Sequence, residues 1–139
     1  MFRDKFIRIK EIQELMTLDN YKQYAPLIMR LGLSFVFLWF GISQLINPDY
    51  FLGYVPDFLT LPNLLVTLNG IGETILGTLL LIGLFTRIVS FLLAIHLITI
   101  ILSLGYNDIA IRDAGLLLVT IAQFIGGADK WCLDSRRHG

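Results

Sequence analysis

The chain has a single cysteine, Cys132, and therefore neither an intrachain disulfide nor a CxxC redox pair. Thiol–disulfide exchange as a self-contained activity is excluded. Charge of one sign is also lacking: 11 Lys and Arg balance 11 Asp and Glu. With no DNA- or RNA-reading motif either, nothing favours nucleic acid as a partner. The opening stretch MFRDKFIRIKEIQEL mixes charge with apolar groups and offers no continuous apolar core, so no cleavable signal peptide is expected. No glycine-rich phosphate loop, nucleophile elbow or haem-binding pair of histidines is found.

Apolar residues are abundant instead. They make up 55% of the 139 residues, above the roughly 45–50% of soluble domains, and mean hydropathy is +0.71. The excess lies in runs rather than along one periodic face. Crossing about 30 Å of hydrocarbon takes roughly 20 mainly apolar helical residues. Four segments qualify: about 26–46, 62–84, 87–104 and 109–127. Pro26 suits a helical first turn, and Asn47-Pro48 ends the first span. A tight Phe85-Thr86 turn separates spans two and three. A water-soluble bundle would need a charged face that spans two to four lack. The sequence thus predicts an all-α membrane protein of one domain, a four-transmembrane-helix bundle over 25–128.

Orientation follows from basic residues, which collect on the cytoplasmic side. Arg3, Lys5, Arg8, Lys10 and Lys22 precede the first span; Lys130, Arg136 and Arg137 follow the fourth; Arg87 lies in the turn between spans two and three. Residues 47–61 and 105–108 contain no Lys or Arg. The expectation is a prokaryotic cytoplasmic (plasma) membrane, with both termini cytoplasmic and 129–139 as a cytoplasmic tail. Residues 1–24 read as an N-terminal amphipathic helix, with Phe2, Phe6, Ile9, Ile12 and Met16 on one third of the wheel, interrupted by Lys5 and Gln13. Lying flat on the inner leaflet is preferred; packing on the cytoplasmic ends of the bundle is the other reading. On the outer side Tyr50, Phe51, Tyr54 and Phe58 suit the headgroup level.

Polar residues inside the spans are costly and therefore informative. Glu73 falls near the middle of span two, where an ionised carboxylate costs at least ~2.5 kcal/mol. It must face protein or water, find a partner or stay protonated. Helical spacing places Asn69, Glu73 and Gly77 on one face, beside Thr67, Gly70 and Thr74. Matching stripes occur in the other spans: Arg30, Ser34, Phe37, Gly41 and Gln44; His96, Thr99 and Ser103; and Arg112, Asp113, Thr120 and Gln123. At about 1.5 Å per residue, Glu73 and His96 share one mid-membrane level, while Gln44, Asn69, Arg112 and Asp113 lie in the outer half. Arg30 and Arg87 lie near the inner surface and are expected to snorkel. One internal polar cluster follows: Gln44, Asn69, Glu73, His96, Arg112 and Asp113. It reads equally as a brace, with Glu73 neutralised by Arg112 or His96, and as a ligand or proton site. As a metal site it is poor, lacking ligand spacing.

The order of these features resembles the DoxX family of small four-span membrane proteins, from about Arg30 to Asp134. Gly41 lies late in span one. In GETILGTLLLIGLFTR, Glu73, Gly77, Gly83, Thr86 and Arg87 fit the family's Glu-bearing second helix and exit turn. Arg112-Asp113 opens the last span, and GGADKWCLD is similar to the family's Gly-rich turn and final Leu-Asp. Departures are Gln44, where relatives commonly have Lys, Cys132, where Ser is usual, and His96, which matches no family pattern. The resemblance implies two roles. Some members look like membrane subunits of sulfur- or radical-detoxifying oxidoreductase complexes that deliver electrons to quinone; distant eukaryotic relatives act as cargo receptors or assembly chaperones.

Three functions stand open on this reading. The first is an accessory subunit of a membrane oxidoreductase or quinone-linked complex, with no intrinsic cofactor and quinone as the candidate ligand. Lacking a redox centre of its own, the chain needs a partner subunit for electron transfer. The second is a non-enzymatic scaffold, chaperone or assembly factor for a client membrane protein. The third, a proton pathway or transporter, would require homo-oligomerisation and ranks last, because a bundle this small has no inverted repeats or broken helices.

Overall fold

The computed structural model describes residues 1–15 and 18–137; among these the regular structure is all helical, with no strand. A surface helix α1 (Phe2–Leu15) and a 3₁₀ segment (Leu18–Tyr24) precede α2 (Ala25–Ile46). A second 3₁₀ segment (Pro48–Tyr54) leads towards α3 (Pro62–Ile82), followed by α4 (Thr86–Leu104), α5 (Asp108–Gly126) and the short α6 (Leu133–Arg137). Helices α2 to α5 are each long and apolar enough to cross a membrane. At most 28% of the residues in any span's apolar window are buried, so most of their Leu, Ile and Phe side chains point outward. Phe35, Trp39, Leu102, Leu118 and Ile125 are all exposed, an arrangement that only an apolar solvent tolerates.

Local chemistry sets the helix ends. Pro lies in the first turn of α2 and of α3, where a missing N–H costs nothing. Asn47 closes α2, and Asn107 caps α5 by accepting from the Ala110 N–H at 2.8 Å. The turn between α3 and α4 is one residue longer than the sequence suggests: Gly83 and Phe85 both have left-handed backbone, and Thr86 is the first residue of α4. Gly83 is required twice over. Its φ is +71°, and a Cβ there would lie 2.6 Å from the Cys132 Sγ.

The four spans form two intimate antiparallel pairs, α2 with α3 and α4 with α5, joined by sparser contacts between the pairs. Small residues explain the first. A Cβ on Gly41 would lie 2.6 Å from Thr74 Oγ1, and one on Gly70 would lie 2.9 Å from the Gly41 carbonyl oxygen. The backbones touch because there is nothing between them. The expected stripe on span one is fully internal: Arg30, Ser34, Phe37, Gly41 and Gln44 are all buried. An apolar core of Leu33, Phe37, Leu80, Val89, Leu93 and Leu97 fills the half of the bundle nearer the termini.

At that end the expectation for Arg30 is overturned. Its side chain does not reach out to water; the residue is 2% exposed and is held by Asp129, Nε to Oδ2 at 2.7 Å. The guanidinium also donates to the carbonyls of Leu80, at 3.1 Å, and Leu81. Those carbonyls belong to the last turn of α3, where the helical ladder runs out and Leu80 receives only the N–H of the Gly83 cap, so an internal arginine meets a need that lipid cannot. The chain after α5 completes the clasp. Asp134 accepts from the N–H groups of Phe85 and Thr86 at 2.8 and 2.7 Å, at the start of α4. Its own N–H donates to the Gly83 carbonyl. Thr86 Oγ1 lies 3.6 Å from the buried Cys132 Sγ, and Trp131 stacks on Tyr24 with ring centroids 5.2 Å apart. Arg87, by contrast, is exposed as expected.

Residues 2–14 of α1 are exposed on every face. The apolar stripe predicted there is present as Phe2, Phe6, Ile9 and Ile12, without a protein surface against it; Met16, its last member, lies outside the described residues.

Burial alone would raise the Asp129 carboxyl; hydrogen bonds from Arg30 and the Trp131 N–H, with the attraction of Arg30 and a bond from Cys132, hold it below the usual carboxylate range. A carboxyl lowered on folding stabilises the fold at higher pH and loses that contribution as pH falls through its folded value. Asp129→Asn should therefore lower stability near neutral pH and flatten the acid limb of the unfolding profile. Asp129→Ala, which strands the arginine, should cost about 3–5 kcal/mol, read from unfolding midpoints in mild detergent.

Candidate functional site

The polar cluster expected from the spans assembles where the two helix pairs meet. Glu73, on α3, is 5% exposed. Its Oε2 accepts from Gln44 Nε2 of α2 at 2.9 Å. Its Oε1 lies 2.9 Å from His96 Nε2 of α4. Both carboxylate oxygens are thus engaged, one by an amide and one by an imidazole. Asn69, one turn away on α3, donates from Nδ2 to Gln44 Oε1 at 2.8 Å. The relay from Asn69 through Gln44 to Glu73 and His96 crosses three helices. No water is needed to satisfy it, which matters where lipid supplies no hydrogen bonds.

Arg112 and Asp113 stand one step aside. Arg112 is not the partner of Glu73; it bonds to the neighbouring Asp113 through Nε at 3.0 Å and Nη2 at 2.9 Å. Its guanidinium carbon also lies 5.0 Å from the centroid of the Phe40 ring, a cation–π contact. Consecutive helical residues point about 100° apart, so this pairing bends the arginine back along α5 instead of extending it to α3. Asp113 is buried, while half of the Arg112 side chain is exposed. Of the two partners expected for Glu73, His96 is the one that reaches it.

All six predicted residues border one cavity of about 820 Å³, within the size range of ligand sites. The cavity occupies the seam between the pairs, where the sparser contacts leave room. Its wall is aromatic and aliphatic, with Phe37, Phe40, Leu97 and Leu116 around the polar floor. The segment Pro48–Tyr54 covers it: Phe51 sits edge-on to Phe40 at 6.5 Å and tilts on Tyr54 at 6.4 Å. Of the four aromatics assigned to the headgroup level, Phe51 is thus half-buried in this cover, while Tyr50, Tyr54 and Phe58 are exposed. Sequence reasoning did not foresee Phe40 or Phe51 in the site. Their hydrophobicity is ordinary for a membrane helix, and only the fold of the 3₁₀ segment brings them together. Among the described residues no group of three or more His, Cys, Asp or Glu side chains is placed to hold a metal ion.

Four membrane-length helices with apolar exteriors and a polar internal cavity define a multi-pass integral membrane protein. The profile of one family, described as DoxX, matches residues 25–105, more than half of the chain, and the chain belongs to the DoxX family. The match takes in Gln44, Asn69, Glu73 and His96 and ends before Arg112. No curated protein and no solved structure matches the chain significantly.

His96→Leu should destabilise the bundle more than Glu73→Gln, by about 1–3 kcal/mol. The first leaves a carboxylate oxygen stranded, whereas the second retains an amide that bonds to both neighbours. Unfolding of both variants under identical detergent conditions provides the comparison.

Proposed function

We propose that this protein is an accessory subunit of a membrane oxidoreductase, and that its cavity receives the headgroup of a quinone. One observation carries the reading: a carboxylate–imidazole pair lies on the floor of an aromatic-walled, membrane-embedded cavity of about 820 Å³. The residues fit such a ligand. A quinone offers carbonyl oxygens as acceptors and an apolar tail, and the cavity pairs N–H donors with aromatic surface. When bound, a quinone supplies carbonyl groups that take up electrons and protons as it becomes quinol. The amides of Gln44 and Asn69, each with one N–H used inside the cluster, would hold the headgroup with the other, and His96, held at Nε2 by Glu73, would engage it through Nδ1. Glu73 holds His96 in position, and the two together are the proton-exchanging groups of the cavity in this reading. Phe40 and Phe51 keep water from the apolar side. The electrons are assigned to a redox-active partner subunit, because one buried cysteine and no paired haem ligands leave this chain without a centre of its own.

The basic residues before α2 and after α5 support a prokaryotic cytoplasmic membrane with both termini inside. The exposed apolar stripe of α1 supports its lying on the inner leaflet.

A second reading, a scaffold or assembly factor that docks another membrane protein, draws on Phe58 and Tyr106, which are 81% and 95% exposed at the cavity end of the bundle. Native mass spectrometry in mild detergent separates the two. The first reading expects bound quinone or a co-purifying redox subunit, and at least a tenfold (about 1.4 kcal/mol) loss of quinone affinity in His96→Leu. A colourless, partner-free bundle that binds no added quinone rejects it. Capture of a client by crosslinking at Phe58, unaffected by Glu73→Gln, supports the second.

A further inference from the structure

The polar groups around Glu73 and His96 continue in one direction and stop in the other. Towards the end that carries residues 47–61, His96, Thr99 and Ser103 follow one another along α4 at steps of three and four, and all three border the cavity. The Thr99 and Ser103 hydroxyls donate to carbonyls of their own helix, at 3.0 and 2.8 Å, which leaves each oxygen able to accept. Beyond Ser103 the cavity runs into a second, more open depression of about 580 Å³, and Tyr54, Pro56, Ser103 and Ile109 line both. Asp57, Asn107 and Asp108 border that outer mouth. No Lys or Arg occurs in 47–61 or 105–108, so the potential at the mouth favours cations.

In the opposite direction the bundle is packed. Leu33, Leu80, Val89 and Leu93 fill it, and the polar side chains among them are sealed. Ser34, Ser90, Thr120 and Gln123 have no exposed surface. Ser34 and Thr120 each donate to a carbonyl one turn back on their own helix. Beyond these the Arg30–Asp129 pair closes the end.

We propose that the Glu73–His96 pair exchanges protons only with the aqueous phase at the 47–61 end, along Thr99 and Ser103 to the mouth at Asp57 and Asp108. This rests on reading the cavity as a ligand site. The groups that face the pair are consistent with it. Gln44 of α2 is uncharged, Arg112 of α5 is neutralised by Asp113, and Tyr50 and Tyr54 of the 3₁₀ cover carry phenol groups. Fixed charge near the pair is therefore balanced, and its proton comes and goes through hydroxyls and water, as in other intramembrane relays. Protons drawn for a bound headgroup would be taken from, or returned to, that one side.

The test uses the full-length chain in sealed vesicles of both orientations, with Cys132→Ser as background and single substitutions Thr99→Cys, Ser103→Cys, Ser90→Cys and Thr120→Cys. A membrane-impermeant thiol reagent is expected to modify the first two from the 47–61 side alone and the last two from neither side. In parallel, the 15N resonances of His96, assigned with His138→Gln, should follow pH changed on the 47–61 side and ignore pH changed on the side of the termini. Modification of Ser90→Cys or Thr120→Cys from the termini side, a His96 response to pH on that side, or failure to label Ser103→Cys overturns the proposal. None of these measurements contains quinone. One-sided access without quinone binding would defeat the functional reading and leave the route standing; quinone binding with access from the termini side would do the reverse.

Discussion

A carboxylate carried into the middle of a bilayer has no water to lean on, and the arrangement of this bundle can be derived from how Glu73 is accommodated. Its two oxygens require donors from two other helices. Gln44 must therefore come from α2 and His96 from α4 to the same depth, which fixes both the register of α3 against its neighbours and the rotation of all three helices. Removing either donor leaves a polar oxygen with lipid or apolar side chains as its surroundings, at a cost of kilocalories. The cluster has no tie to α5, where Arg112 and Asp113 satisfy each other. That is one reason the seam on this side remains open.

Packing and polarity divide the bundle into unlike halves. Near the termini an apolar core is closed off by the buried Arg30–Asp129 pair, and the chain after α5 returns to cap α4 through Asp134. A buried ion pair is weak evidence of net stability against an apolar replacement. Its effect here is geometric: it binds the first span, the last turn of α3 and the C-terminal segment at one point. Near residues 47–61 the glycine contacts of Gly41 and Gly70 hold α2 against α3, while the α4–α5 pair stands far enough from the α2–α3 pair to leave the cavity. The bundle thus has a closed, ion-paired end and a polar end that borders a cavity.

Much of the candidate site was readable because polar groups are scarce in membrane spans. Six residues chosen from their cost in lipid all border one cavity, and the equal depth of Glu73 and His96, obtained from helical rise alone, is realised as a 2.9 Å contact. What escaped was pairing. Arg112 and His96 were equivalent candidates for Glu73 from depth, and only the direction of each side chain separates them. Asp129 escaped for another reason. It follows the last span, where a carboxylate carries no penalty in sequence, so its burial beside Arg30 was not signalled. A basic residue one turn into a span was ambiguous between reaching water and meeting a partner, and the fold chose the partner.

Sequence by itself determined the number of spans, their approximate limits, the sectors that face inward and the clustering of costly groups, because hydrocarbon thickness and helical periodicity leave few alternatives. Tertiary structure alone decided which polar groups bond to one another, that Phe40 and Phe51 close over the site, and that the cavity adjoins a second depression at the 47–61 end. Those outcomes depend on side-chain direction and on the width of the seam between helix pairs, neither of which is written in the spacing of residues along a single helix.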